Sequence, residues 1–381
     1  MIILSVVGAR PNFMKLAPVA RALARRPDVT HVVVHTGQHY DPVLSDGLFH
    51  DLDLSAPDHH LGVGSGSHAA QTATAMIRLE PVLEGERPDM VLVYGDVNST
   101  LAAALVAAKL EIPVAHVEAG LRSGDLRMPE EVNRRVVDRI ASVLFAPSRD
   151  AIDNLRAEGV EESRIHFVGN VMADSLAAAL PRAARLRAHE RFGLADRSYG
   201  LVTLHRPSNV DDPGRLAELL DTLTEASGAQ PILFPMHPRT RARLHTMGWV
   251  PATDGGLRIT EPVGYLEMLG LTSAAAFVIT DSGGVQEETT CLGVPCLTVR
   301  STTERPITCS AGTNRLVPPE KGAILSAIRA ACADRPAAPP IIERWDGRAG
   351  ERIAAALCGS GPIRSSLDQG AEDSRWVRAA S

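Results

Sequence analysis

The sequence predicts an α/β protein of the doubly wound kind: two Rossmann-like domains whose parallel sheets face a central cleft. Three observations carry this. Short β-rich apolar runs alternate with longer, alanine-rich helical stretches, and a βαβα rhythm builds a parallel sheet. The rhythm fills the first half and starts again in the second. The chemically suggestive clusters stand just after such runs, at the carboxyl ends of strands, where open α/β sheets bind ligands.

Taken in order, the first series of strands is Ile2–Val7, His31–His35, Met90–Tyr94, Val114–Val117, Val143–Ala146 and Ile165–Val168. Helices such as Met14–Arg25 and Thr100–Leu110 lie between them. A polar stretch at Gly169–Ser175 reads as a hinge. The second series is Tyr199–Thr203, Pro231–Pro235, Leu257–Ile259, Ala276–Thr280 and Cys296–Val299. The domains expected are 1–170, then 171–358 with a last helix able to cross back to the first domain. A polar tail without periodicity, 359–381, follows.

The 381 residues carry a formal charge of −6 and near-average apolar and charged content, as an ordered globular protein does. The mild acidity argues against nucleic-acid binding, which leaves a basic footprint. The five cysteines, Cys291, Cys296, Cys309, Cys332 and Cys358, are odd in number and include no C-x-x-C pair. A reducing, cytoplasmic setting is expected rather than a secreted disulfide framework. The opening MIILSVVG meets Arg10 too soon to be a signal segment, and no apolar run reaches the length of a membrane span. No H-E-x-x-H or Cys/His metal spacing occurs, so no metal is expected. Of the 39 lysines and arginines only three are lysines: Lys15, Lys109 and Lys321.

Five constellations suggest chemistry. In Gly8-Ala9-Arg10-Pro11, leading to Lys15, a strand ends and a helix starts with Pro11 near its first position. The helix N-terminus can receive an anion, and Arg10 and Lys15 add charge there. It is not G-x-G-x-x-G, so no dinucleotide fingerprint is present. In Asp281-Ser282-Gly283-Gly284-Val285-Gln286-Glu287-Glu288 the glycines let a phosphate approach the backbone. Glu287 or Glu288 would reach ribose hydroxyls. Asp96 and Glu118 end adjacent strands, with Asp125 and Glu130 following; paired acids suit proton transfer at carbon. The plainer reading is that Asp96 caps the next helix and Glu130 sits in a first turn. Among thirteen histidines, His39, His205 and His237 follow strands. His116 lies within a strand and reads as a satisfied core residue, and His59 and His60 read as surface loop. In Thr302-Thr303-Glu304-Arg305-Pro306, Arg305 is either a bidentate phosphate clamp or a solvated loop residue.

Together the segments GARPNFMKLAPV, HTGQHYD, GDVNSTLAAALVA, HVEAGLRSGD, MPEEVNR, LVTLHRPSN, TDSGGVQEE and TTERP resemble the non-hydrolysing UDP-N-acetylglucosamine 2-epimerase family, which has the GT-B fold. They run in order from residue 8 to residue 306. The resemblance implies an isomerase that interconverts UDP-GlcNAc and UDP-ManNAc by eliminating UDP to a glycal and adding it back, without cofactor. It implies catalytic roles for Lys15, Asp96, Glu118, Glu130 and His205. It implies UDP-sugar contacts from Arg10, Gln38, His39, Arg206, Tyr265, Ser282, Gly283, Gly284, Glu288 and Arg305. A cytoplasmic homodimer serving polysaccharide biosynthesis, with no nucleic-acid or membrane partner, completes the expectation. The segments NVDDPGRL, MHPRTR and PVGYLEML look closer to the branch acting on UDP-2,3-diacetamido-glucuronate-type sugars, whereas TTERP looks like the housekeeping branch. A hydrolysing epimerase, which releases the free sugar, and a GT-B glycosyltransferase, which shares the fold, compete with this expectation. Tyr40-Asp41-Pro42 replaces the residues found where a second UDP-sugar activates the enzyme, so the resemblance does not by itself imply substrate activation.

Overall fold

The computed structural model describes residues 1–38, 42–236, 238–249, 256–334 and 336–359. Two parallel sheets organise them. The first holds β1 (Ile2–Val7), β2 (Thr30–His35), β3 (His59–His60), β4 (Met90–Tyr94), β5 (Val114–Val117), β6 (Val143–Ala146) and β7 (Ile165–Phe167), in the order β3-β2-β1-β4-β5-β6-β7. The second holds β8 (Gly200–Thr203), β9 (Ile232–Pro235), β10 (Leu257–Thr260), β11 (Phe277–Thr280), β12 (Cys296–Val299) and β13 (Asn314–Val317), in the order β10-β9-β8-β11-β12-β13. Helices cover both faces, so the central strands are near-continuous apolar runs, as buried parallel strands are. In β1 the polar exception is Ser5, whose hydroxyl lies 2.8 Å from both the Tyr94 hydroxyl and His31 Nε2.

Each expected strand forms, its ends displaced by no more than one residue. Two further strands are not anticipated by the pattern. His59 and His60, read as surface loop, pair with Val34 and His35 as an edge strand. Asn314–Val317 pairs with β12. Both are short and lack an apolar run, so pattern alone does not reveal them.

One compact unit comprises Met1–Ser175 and the segment that begins at Glu343; the other comprises Leu176–Ile342. The stretch expected to be a hinge is the start of the Val171–Arg185 helix, with Asn170 Oδ1 accepting from the Met172 amide at 2.8 Å. Within the first unit the Ala349–Leu357 helix lies against the Arg10–Leu23 helix. A Cβ on Gly350 would come within 2.6 Å of the Pro18 carbonyl, so only glycine permits this approach. Asp174 caps the returning helix by accepting from the Ala349 and Gly350 amides at 3.1 and 2.8 Å. Pro18 has no amide hydrogen for the Met14 carbonyl one turn back. The Ser175 hydroxyl donates to that carbonyl instead.

Candidate functional site

In the first sheet the strand order reverses at β1 and β4, the switch point where ligands bind in open α/β sheets. The loops after β1, β4 and β5 carry the expected residues. The helix after β1 starts at Arg10, in line with the start expected near Pro11 rather than at Met14. Pro11 suits its first turn, and Asn12 Oδ1 accepts from the Gly8 and Ala9 amides at 3.2 and 3.0 Å. Arg10 itself is exposed. Lys15 is 4% exposed, and its ammonium donates to Glu118 Oε1 at 2.7 Å. The ammonium fills the space above Gly95. A Cβ there would lie 2.6 Å from Nζ, and Gly95 sits at φ +62°. Glu118 is itself left-handed, at φ +73°. For a non-glycine residue that costs about 1–3 kcal/mol, and such strain persists where a site over-determines it.

Asp96 is not a helix cap. The N-cap of the Asn98–Lys109 helix is Val97, and the Asp96 carboxylate meets Arg134 Nη1 at 2.5 Å. Arg134 is 2% exposed and also holds Glu131 at 2.7 Å. Glu131 accepts further from the Ser123 amide and hydroxyl, at 2.9 and 3.0 Å. Burial pushes its carboxyl up, but those donors and Arg134 outweigh it and bring the pKa down to about 2. Glu130, one residue earlier in the first turn of the Pro129–Ile140 helix, is half-buried and makes no hydrogen bond or ion pair among the described residues. Of two adjacent acids, one is structural and the other is available. Asp125 is bound to Arg127 at 2.9 Å in an exposed loop, apart from this group. Gln38 accepts from the Ser99 hydroxyl at 2.8 Å, which fixes the start of the helix after β4. His39 lies outside the described residues, as does His237.

The second sheet has its own switch point at β8 and β11. Asp281, just past β11, is fully buried and accepts from the backbone amides of His205 and Arg206, at 3.0 and 2.9 Å, and from Asn209 Nδ2 at 3.1 Å. His205 Nδ1 is 3.0 Å from the same carboxylate. Burial opposes the charge on Asp281, but the bond and charge of His205 prevail and hold its carboxyl below the usual range. A carboxylate at Nδ1 makes that nitrogen the donor and orients the ring. Ser282 is the N-cap of the Gly283–Leu292 helix, and its hydroxyl makes no capping bond. A Cβ on Gly283 would lie 2.4 Å from Arg305 Nη1. Arg305, expected as a phosphate clamp or a solvated loop residue, is neither solvated nor loosely held. It is 6% exposed and meets Glu304 at 2.6 Å and Glu287 at 3.1 Å. Glu304 also meets Arg300 at 2.8 Å and Arg206 at 3.6 Å, and Arg206 is the most exposed cation of this cluster. Of the two acids in the helix, Glu287 is thus tied to Arg305. Glu288 and Tyr265 are both buried.

The profile of the UDP-N-acetylglucosamine 2-epimerase family matches residues 21–358. The chain is 42% identical to the UDP-N-acetylglucosamine 2-epimerase of Methanocaldococcus jannaschii, over 92% of this chain and 97% of that protein. The chain belongs to the UDP-N-acetylglucosamine 2-epimerase family. The crystal structure of the Methanocaldococcus jannaschii UDP-GlcNAc 2-epimerase in complex with UDP-GlcNAc and UDP superposes on this epimerase with a TM-score of 0.87 at 41% identity, covering 94% of this chain and 99% of that one. The fold is therefore of the GT-B kind, and the protein is an isomerase. The UDP-2,3-diacetamido-2,3-dideoxy-D-glucuronate 2-epimerase of Pseudomonas aeruginosa is equally similar, 42% identical over 86% of this chain and 91% of that protein. Among the described residues no helix of the epimerase is long and apolar enough to cross a membrane.

Sequence reasoning assigns no role to Asp281, which orients His205, or to Arg134, which holds Asp96. A signal for the second exists. Arg134 stands three residues after Glu131, a spacing that pairs charges on a helix. For Asp281 the only hint is its place between a strand and the Ser-Gly-Gly turn.

Proposed function

We propose that this epimerase interconverts UDP-GlcNAc and UDP-ManNAc by elimination and re-addition of UDP. Carbon 2 of the sugar bears no neighbouring carbonyl, so its proton is not acidic. Breaking the anomeric C–O bond, with the electron pair leaving on UDP, makes an oxocarbenium-like centre that acidifies the adjacent C–H. A base takes that proton and a glycal forms. A proton then reaches carbon 2 on the opposite face, and the UDP oxygen adds back to carbon 1. Electrons move only between C–O and C–H bonds, so no redox group is required.

The observation that carries this reading is the buried Lys15–Glu118 pair at the end of β5, with Glu118 held in a strained conformation. Asp96 and Glu118, each paired with a cation, face the sugar and, with Glu130, serve the proton transfers at carbon 2. His205, oriented by Asp281, and Arg10, Arg206 and Arg305 bear on the departing diphosphate. Gln38, His39, Tyr265, Ser282, Gly283, Gly284 and Glu288 complete the UDP-sugar contacts. We also assign the enzyme to the cytoplasm, as a homodimer that supplies an activated sugar for polysaccharide synthesis. A second substrate, a UDP-2,3-diacetamido-glucuronate-type sugar, is favoured by the Pseudomonas aeruginosa relative, whose identity to this chain equals that of the UDP-GlcNAc enzyme.

The test is incubation with UDP-GlcNAc in D2O followed by NMR. Deuterium at carbon 2 together with a UDP-ManNAc signal is the expected result. Free sugar indicates hydrolysis, and transfer to an added acceptor without exchange indicates a glycosyltransferase. Absence of exchange with UDP-GlcNAc, and its appearance with the diacetamido-uronate, assigns the second substrate.

A further inference from the structure

His116 sits in β5 with no exposure, and both ring nitrogens face acceptors. Nε2 is 2.7 Å from the Gly95 carbonyl, and Nδ1 is 2.7 Å from Asp138 Oδ1. A carbonyl cannot donate, so Nε2 carries a hydrogen. Asp138 cannot supply the other one. Its Oδ2 already accepts from the Gly120 amide at 3.0 Å and pairs with Arg122 Nη1 at 2.7 Å. The Arg122 guanidinium, whose side chain is 7% exposed, takes Asp138 as its counter-charge, so Asp138 stands as a carboxylate. Nδ1 must therefore carry a hydrogen too. A neutral imidazole has one N–H and would leave a buried acceptor unmet. Only the imidazolium satisfies the site.

The two acceptors join two turns that matter. Gly95 precedes Asp96 and is the residue over which the Lys15 ammonium packs. Gly120 lies two residues beyond Glu118, and Asp138 grips its amide. One histidine–aspartate couple thus ties the end of β4 to the end of β5. We propose that His116 is a buried imidazolium which, with Asp138, positions the Asp96 and Glu118 turns for proton transfer at carbon 2 of the UDP-sugar. It touches no substrate; it acts through the backbone that carries the acids. The inference rests on the reading of Asp96 and Glu118 as sugar-facing acids given above.

Three variants of the full chain test it: His116→Gln, Asp138→Asn and Glu118→Gln. In nitrogen-15 NMR of histidine-labelled enzyme at pH 7.5, two ring N–H signals that vanish in His116→Gln are expected. Deuterium incorporation at carbon 2 at saturating UDP-GlcNAc should fall about 100-fold in His116→Gln, the scale of an ångström-sized misplacement, while KM stays nearly constant. Asp138→Asn should show the same kcat–KM split and covers the case in which His116→Gln does not fold. A single N–H on His116 overturns the proposal. So does wild-type kcat in a folded His116→Gln or Asp138→Asn, because a purely structural role lowers thermal stability and leaves turnover per folded molecule intact. Glu118→Gln separates the two levels. If it is inactive while the couple variants are normal, the couple fails and the reading of the acids stands; if it is fully active, that reading fails.

Discussion

Lys15 has space for a compact ammonium and little else. It is nearly enclosed, its charge is met by Glu118 at 2.7 Å, and the missing side chain of Gly95 makes its room. A planar guanidinium cannot replace it there. Lys15→Arg should keep its far-UV circular dichroism and lose about 100-fold or more in kcat, the scale of removing one preorganised charge; near-normal turnover would return Lys15 to a packing role. The other two lysines differ. Lys109 ends a helix, and Lys321 opens one, where it pairs with an exposed Glu225. The adjacent acids make a sharper test. Glu131→Gln breaks a buried charge pair and should cost about 3–5 kcal/mol in chemical denaturation. Glu130→Gln should leave stability within about 0.5 kcal/mol and reduce deuterium exchange at carbon 2 by about 100-fold or more. The reverse assignment of effects would sink the division between them. Sequence could nominate Glu118, because it follows an apolar strand; Glu130, preceded by Leu126-Arg127-Met128-Pro129, is nominated by the family resemblance alone. The i,i+3 spacing to Arg134 hinted that Glu131 is the paired acid, but the bonds from Ser123 that complete its site come only from the folded loop.

At the scale of elements, the strand–turn–helix units were legible wherever an apolar run ends in Gly or an acid. β4 and β5 announce themselves, and so do the turns behind them. β3 and β13 do not, because two histidines and the four residues Asn314–Val317 offer no periodicity to read. The helix after β11 shows how an element carries a charge cluster. Gly283 opens it because any side chain there would meet Arg305, and Arg305 cannot swing aside while Glu304 and Glu287 hold it. Gly283→Ala should cost about 1–3 kcal/mol by overpacking. It should also weaken UDP binding tenfold or more, about 1.4 kcal/mol, read by calorimetric titration. Unchanged affinity would place the Ser282–Gly284 turn outside the nucleotide site.

Over the whole molecule, acid is the expected weakness. Burial outweighs the pull of Asp58 and lowers His31 to about 4; burial, then the neighbouring His60, lowers His35 to about 4. Between pH 6.5 and 4 the unfolded chain takes up protons at these rings and the folded chain does not. Their contribution is therefore complete above about pH 6.5 and is lost as pH falls, at up to about 1.4 kcal/mol per pH unit for His31. The depressed carboxyl of Glu131 adds a second loss, present above its ordinary value of 4.5 and gone near 2. Guanidinium melts from about pH 8 to 4.5 should show a plateau and then a decline, flattened in His31→Gln. A stability curve without a break near about pH 6.5 would contradict this. Two wound sheets were readable from the rhythm of the chain. The return of the Ala349–Leu357 helix was foreseen only as an option, because nothing local to that helix names its partner.

That return also sets a timetable. The helix bearing Lys15 leaves the ribosome long before the helix that covers it, Ala349–Leu357, is made. At ordinary rates of synthesis, about 5–20 residues per second, its outer face waits about 15 seconds or longer for its cover. The second unit, continuous from Leu176 to Ile342, has no such wait. The unit synthesised first is thus the last to be finished, and a nascent chain released before Ala349 would leave the face around Pro18 bare and open to chaperones.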